Sequence, residues 1–124
     1  MEKKTVLAVD DNKMQLGLFK KMLSGKYDLV TVDSAADAVK FFTDRVADVI
    51  LLDITMPNIS GFEFLNDIRV LASCQDLPII IVSGNTGADF MAEARNSSAF
   101  DILIKPVNQD DLIKVIEKAL AKNV

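Results

Sequence analysis

The stretch Asp48-Val-Ile-Leu-Leu-Asp53-Ile-Thr-Met-Pro57-Asn-Ile-Ser-Gly61 decides the fold. Val49, Ile50, Leu51 and Leu52 form a continuous run of β-formers with no polar alternation. Such a run reads as a strand covered on both faces, as in a parallel sheet between two helical layers. Asp53 follows, a carboxylate where the run would take another apolar residue. Pro57 and Gly61 then break the chain into a loop before the next helix. Open α/β sheets place ligand chemistry at the carboxyl ends of strands like this one. Taken alone, Asp53 fits an aspartate that merely starts a turn equally well.

Outward from this stretch, strands and helices alternate. Val6-Leu-Ala-Val9 is a short apolar strand ending in Asp10-Asp11. Leu16, Phe19 and Leu23, with Met22 beside them, make one face of a helix from Asn12 to Ser24, which Gly25 stops. Gly17 lies inside that helix at a cost of about 1 kcal/mol relative to alanine, and nothing in the sequence accounts for it. Tyr27 to Val32 is a second strand. Ser34-Ala-Ala-Asp37 is a capping box with aspartate in place of glutamate, and it opens a helix with Ala35, Ala38, Val39 and Phe42 on one face. After the central strand, a third helix starts near Gly61 or Phe62 and buries Leu65, Ile68 and Ala72. Leu77-Pro78 leads into the strand Ile79-Ile-Ile-Val82, which ends at Ser83-Gly84. A fourth helix, Ala88 to Asn96, offers only Ala88, Met91 and Ala92 as an apolar face. Ile102-Leu-Ile104 is a fifth strand, ending at Lys105-Pro106. Asn108 caps a last helix that buries Leu112, Val115, Ile116, Ala119 and Leu120.

The pattern predicts an α/β fold of (βα)5 type, a three-layer sandwich around a parallel five-stranded sheet. Right-handed crossovers and coverage of both faces predict strand order 2-1-3-4-5. No linker or repeat is visible, so residues 1–124 are expected to form a single domain.

Composition narrows the chemistry. Half of the 124 residues are hydrophobic, enough for a real core, and the net charge of −4 argues against a direct nucleic-acid surface. No apolar run approaches the roughly 20 residues that span a bilayer, and Val6 to Val9 is too short for a signal peptide. A soluble, cytoplasmic protein with no membrane partner is expected. There is no histidine and a single cysteine, Cys74, which reads as an inert loop residue. Histidine acid–base catalysis and thiolate or imidazole metal sites are therefore excluded. A metal here must be a hard cation on oxygen ligands, meaning Mg²⁺, Mn²⁺ or Ca²⁺.

The strand ends form a set. Strand one ends in Asp10 and Asp11, strand three in Asp53, strand four in Ser83 and strand five in Lys105. Strands one and three flank the topological switch point of a 2-1-3-4-5 sheet, so their ends share one crevice. Clustered carboxylates repel by about 1 kcal/mol per pair in water and about 4 kcal/mol at an effective dielectric of 20. Such a cluster needs a cation or raised pKa values, and Mg²⁺ suits carboxylate oxygens. The Lys105 ammonium can hold a phosphate oxygen and the Ser83 hydroxyl another. Aspartate is a covalent acceptor of phosphoryl groups, and phosphoryl transfer needs positioning and neutralisation more than acid–base groups.

Asp10-Asp11, Asp53-x-x-Met-Pro57 with Gly61, Ser83 and Lys105-Pro106 together resemble the receiver domain of two-component response regulators. The resemblance covers the whole chain and involves strand ends in order. It implies a flavodoxin-like fold and phosphorylation of Asp53 by a sensor histidine kinase or a histidine phosphotransfer protein. It implies a Mg²⁺ site in which Asp11 ligates directly, Asp10 acts mainly through water, Asp53 gives a carboxylate oxygen and Thr55 its backbone carbonyl. It assigns Lys105 and Ser83 to the phosphoryl group, with Ser83 moving toward it as the switch, and suggests a cis Lys105-Pro106 bond. It also implies output to a downstream protein or a fused effector domain through the surface around helix four and strand five. The chain would act on itself and turn over no free substrate.

The chain departs from the family pattern at several positions. Ile102 stands where the family usually has a tyrosine or phenylalanine that moves with the switch hydroxyl. Gly84 replaces a usual alanine and Ser98 a usual glycine. Thr55 and Asn85 occupy positions that tune phosphate lifetime in the family. Ile102 motivates a second reading, a degenerate receiver that binds a partner without phosphorylation. A third reading, a flavodoxin-like cofactor binder, lacks the Ser/Thr/Gly phosphate loop after strand one, where this chain has Asp10-Asp11.

Overall fold

The computed structural model describes residues 3–54, 61–71 and 74–122. Thr55, Pro57 and Ala72 lie outside the described residues. The element order is β1 (Thr5–Val9), α1 (Lys13–Leu23), β2 (Asp28–Val32), α2 (Ala35–Asp44), β3 (Val49–Asp53), α3 (Gly61–Arg69), β4 (Ile79–Ser83), α4 (Ala88–Asn96), β5 (Asp101–Ile104) and α5 (Gln109–Lys122). The five strands pair in parallel in the order β2-β1-β3-β4-β5. The fold class and strand order expected from the sequence are therefore those observed.

The central strands are apolar on both sides because both sides are covered. Leu7, Val9, Ile50, Leu52, Ile79 and Ile81 pack with Ala38 and Phe41 of α2, Phe64, Leu65 and Ile68 of α3, and Ala94 of α4. Val6, Ala8, Val49, Leu51, Ile80 and Val82 pack with Leu16, Phe19 and Leu23 of α1 and Leu112, Ile116 and Ala119 of α5. Alternate residues of one strand thus serve opposite helical layers.

Local signals set several element ends. Asn12 caps α1, its Oδ1 accepting from the amides of Met14 and Gln15, and Ser34 caps α2 by accepting from the Asp37 amide. Gly25, just past α1, has φ 81°, a left-handed conformation that glycine adopts without strain.

Two helix faces differ from expectation. In α2, Ala38 is buried and Ala35 and Phe42 pack against the core as expected, but Phe41 is buried as well and Val39 is 44% exposed. The Phe41 ring outweighs a β-branched neighbour in choosing the inward face, because it removes more apolar area from water. In α4, Ala88 and Ala92 are exposed, and the inward side carries Ala94 and the partly buried Phe90. Phe90 meets Phe62 of α3 with ring centroids 5.6 Å apart, and this contact sets the helix phase. Cys74 is fully buried in the core on the α2–α4 side of the sheet.

Arg69, the last residue of α3, fastens the end of the sheet remote from the acidic strand ends. Its guanidinium donates to the carbonyls of Cys74, Leu77 and Ser98 and to the Ser98 hydroxyl. Gly17 of α1 is exposed, and a Cβ built on it meets nothing within 4 Å. Gly17→Ala is therefore expected to stabilise the fold by about 1 kcal/mol through helix propensity alone. Urea unfolding reads this directly, and an unchanged or lowered midpoint would contradict an unstrained helical position.

Candidate functional site

The site is built by strand register. Val9 lies opposite Leu52 across the β1–β3 pair, so the next residues, Asp10 and Asp53, leave the sheet side by side. Asp53 is paired with Val82 of β4, which places Ser83 one step further along. Ser83 is paired with Ile104, and its carbonyl accepts from the Lys105 amide at 2.8 Å. The apolar runs thus deliver four polar residues to one edge because each run ends at the same height in the sheet.

Asp10, Asp11 and Asp53 converge. Each offers a carboxylate oxygen, and the three oxygens lie within 4.8 Å of one another. Asp10 is 1% exposed and Asp53 4%, whereas Asp11 faces solvent. Lys105 bridges the two buried carboxylates, its Nζ 3.2 Å from Asp10 Oδ2 and 3.4 Å from Asp53 Oδ2. The other Asp10 oxygen accepts from the Asn12 amide at 2.9 Å. Among the described residues, the cluster thus gathers three carboxylates around one ammonium that contacts two of them. All the donors are hard oxygens, which suits a small divalent cation such as Mg²⁺.

Ser83 is fully buried beside this cluster. Its Oγ accepts from the Asn85 amide at 3.0 Å, while the Asn85 side chain accepts from the Gly87 amide at 2.9 Å. The loop from β4 to α4 is thus folded onto the hydroxyl. Thr55, expected to add a backbone carbonyl, lies outside the described residues. The Lys105-Pro106 bond is cis. Ile102 is partly buried and packs against the core on the α4 side.

Burial holds the Asp10 carboxyl above its ordinary value of 3.8, and the nearby Asp53 charge adds to the rise, while the Asn12 amide and the Lys105 ammonium oppose it. A raised native value favours the fold fully below the unfolded value, and this contribution disappears as pH rises through the native one. Metal-free parent protein is therefore expected to gain stability relative to Asp10→Asn as pH falls from about 7 toward about 4. Denaturant unfolding across that range is the measurement, and a constant difference between the two proteins would refute the shift.

Sequence reasoning placed Asp10, Asp11, Asp53, Ser83 and Lys105 at this edge, and the described geometry brings the acids and the lysine into contact. It passed over Asn12, whose amide fixes Asp10, and Gln15, which is 9% exposed. Gln15 sits four and seven positions before Phe19 and Met22, so its place on the inward stripe of α1 was available from helical spacing.

Among the described residues, no helix is long and apolar enough to cross a membrane. The response regulator receiver domain family matches residues 6–117. Two-component response regulator ORR3 of Oryza sativa subsp. indica is 30% identical over 119 residues, which are 94% of this chain and 91% of that protein. Transcriptional regulatory protein ZraR of Escherichia coli O157:H7 is 31% identical over 94% of this chain, which spans only 26% of ZraR. Among solved structures, chemotaxis protein CheY4 of Vibrio cholerae superposes with TM-score 0.88 at 28% identity, covering 95% of this chain and 99% of that one. The receiver domain of the Pseudomonas aeruginosa sensor histidine kinase PA1611, solved with magnesium in its active-site cleft, has TM-score 0.87 at 22% identity over 96% of this chain and 98% of its own. The order of the polar strand ends, the acid–lysine contact and the match across nearly the whole chain agree, and the chain belongs to the response regulator receiver domain family.

Proposed function

We propose that this chain is the phosphoacceptor switch of a two-component relay, with Asp53 as the residue that takes the phosphoryl group. The observation that carries the reading is the Lys105 ammonium bridging Asp10 and Asp53 beside the exposed Asp11 carboxylate. The donor is a phosphohistidine on a sensor kinase or a phosphotransfer protein. The phosphorus–nitrogen bond breaks as a bond forms to an Asp53 oxygen, and the leaving imidazole takes a proton from water. Asp10, Asp11, Asp53 and the Thr55 carbonyl are the residues to hold Mg²⁺. Bound there, the ion supplies charge neutralisation for the carboxylates and the incoming phosphoryl oxygens.

The chain's own residues do the positioning. Burial of Asp53, 4% exposed, limits the access of bulk water, which slows hydrolysis of the acyl phosphate. Lys105 leaves its carboxylate partners for a phosphoryl oxygen. Ser83 donates its hydroxyl hydrogen to another phosphoryl oxygen and in moving toward it leaves the Asn85 amide, which releases the loop leading to α4. The output is a changed surface around α4 and β5, read by a downstream protein or a fused effector domain. The reaction is directed at the chain's own aspartate, with no free substrate turned over.

Incubation with acetyl phosphate and Mg²⁺ tests this reading. Intact mass is expected to rise by one phosphoryl group, and failure with every small-molecule and histidine donor would reject it. Ile102, aliphatic and partly buried against the core, favours one alternative, a partner-binding module indifferent to phosphate. That alternative predicts partner affinity unchanged by Asp53→Asn and by beryllofluoride.

A further inference from the structure

Four polar side chains are buried among the described residues: Asp10, Asp53, Ser83 and Gln15. Three belong to the acid site, and Gln15 does not. Among the described residues, its buried Nε2 has no hydrogen-bond partner. An unsatisfied buried donor costs stability, whereas methionine would fill the same space without a polar atom. Such a donor can take up a partner that the resting fold does not supply.

The position of Gln15 suggests what that partner is. The segment from Lys105 to Gln109 is tied at both ends to the stretch of chain that holds α1. At one end, Lys105 Nζ reaches Asp10 Oδ2 at 3.2 Å, just ahead of α1. At the other, Gln109 Nε2 donates to the Met22 carbonyl at 3.3 Å, in the last turn of α1. Between them, Val107 is buried in the same core cluster as Leu16 and Phe19. Gln15 lies two helical turns before Met22, on the same face. Along the chain, Gln15 thus falls between the two points to which this segment is tied.

We propose that Gln15 is a positioning residue for Lys105: backbone carbonyls of the Lys105–Val107 segment take up its amide hydrogens when Lys105 leaves Asp10 and Asp53 for a phosphoryl oxygen. The donor is unused in the resting state and holds the lysine in the phosphoryl-bound one. This assignment rests on the phosphoacceptor reading above.

The test is calorimetric titration of the chain with beryllofluoride in the presence of Mg²⁺, on the parent, Gln15→Met, Lys105→Ala and the double variant. Gln15→Glu, the same length but lacking the donor when ionised, is a second probe. Gln15→Met is expected to bind roughly three- to tenfold more weakly than the parent, the loss of one neutral hydrogen bond. Its metal-free thermal midpoint is expected to match or exceed that of the parent. In the Lys105→Ala background the same change is expected to add nothing. Unchanged affinity in Gln15→Met, an equal loss with and without Lys105, or a lowered metal-free midpoint each overturns the assignment. A parent chain that takes neither acetyl phosphate nor beryllofluoride overturns the phosphoacceptor reading and this proposal with it. A parent that takes both, with Gln15→Met unaffected, overturns the Gln15 assignment alone.

Discussion

Asp53→Asn is expected to abolish phosphoryl uptake completely and, in the same protein, to raise the stability of the metal-free fold. The first effect follows if the Asp53 oxygen is the nucleophile, since a carboxamide forms no acyl phosphate under these conditions. The second follows from the charge count. Asp53 sits against two further carboxylates, with the three ligand oxygens within 4.8 Å, and against one ammonium at 3.4 Å. Each pair near 4 Å is worth about 4 kcal/mol at an effective dielectric of 20, so among these charged groups the substitution lifts two repulsions and forfeits one attraction. Solvent at Asp11 and Lys105 screens part of this, leaving a gain of about 1–2 kcal/mol. In a domain of this size that is a midpoint rise of roughly 3–8 °C. Intact-mass analysis after acetyl phosphate treatment and a thermal scan without metal measure the two effects. A phosphoryl adduct persisting in Asp53→Asn would move the acceptor to another residue. A lowered midpoint would mean that the lysine contact outweighs the repulsion.

Lys105→Met acts in the opposite direction. Two buried carboxylates, at 1% and 4% exposure, share this single ammonium. Removing one partner of a buried ion pair costs about 3–5 kcal/mol, and the 23% exposure of the lysine side chain moderates it to about 2 kcal/mol. The deficit has a defined pH dependence. Lys105 opposes the rise of the Asp10 carboxyl, so without it Asp10 takes up a proton at still higher pH. Protonation removes one of the stranded charges. The deficit is therefore largest near neutral pH and shrinks as pH falls through the raised Asp10 range. Mg²⁺ is expected to restore part of the loss by replacing the missing positive charge. Urea unfolding at about pH 7 and about pH 5, with and without Mg²⁺, provides the comparison. An equal deficit at both pH values would show that Lys105 supports the fold by packing and not by charge.

Much of this was legible in the residue order. Each polar strand end interrupts an apolar run, and an interruption is visible without coordinates. Asp53 after Val49–Leu52 and Lys105 after Ile102–Ile104 are of this kind. Helix phase was harder to read. In α2 and α4 small and β-branched residues made several faces nearly equivalent, and the choice fell to where Phe41 and Phe90 found room against the sheet and Phe62. Gln15 went unremarked because a glutamine in a helix is ordinarily solvated, and only its burial in the folded chain makes it unusual.

By itself the sequence determined the element types, their order and the chemistry each strand end carries, because these depend on local periodicity and residue type. Tertiary structure alone decided that the pieces meet. Lys105 and Asp10 are 95 positions apart, and no local preference brings an ammonium to within 3.2 Å of that carboxylate. Register across β1, β3, β4 and β5 does so, and register is chosen by burying both faces of the sheet under helices. Hydrophobic burial thus supplies the free energy that holds like charges together.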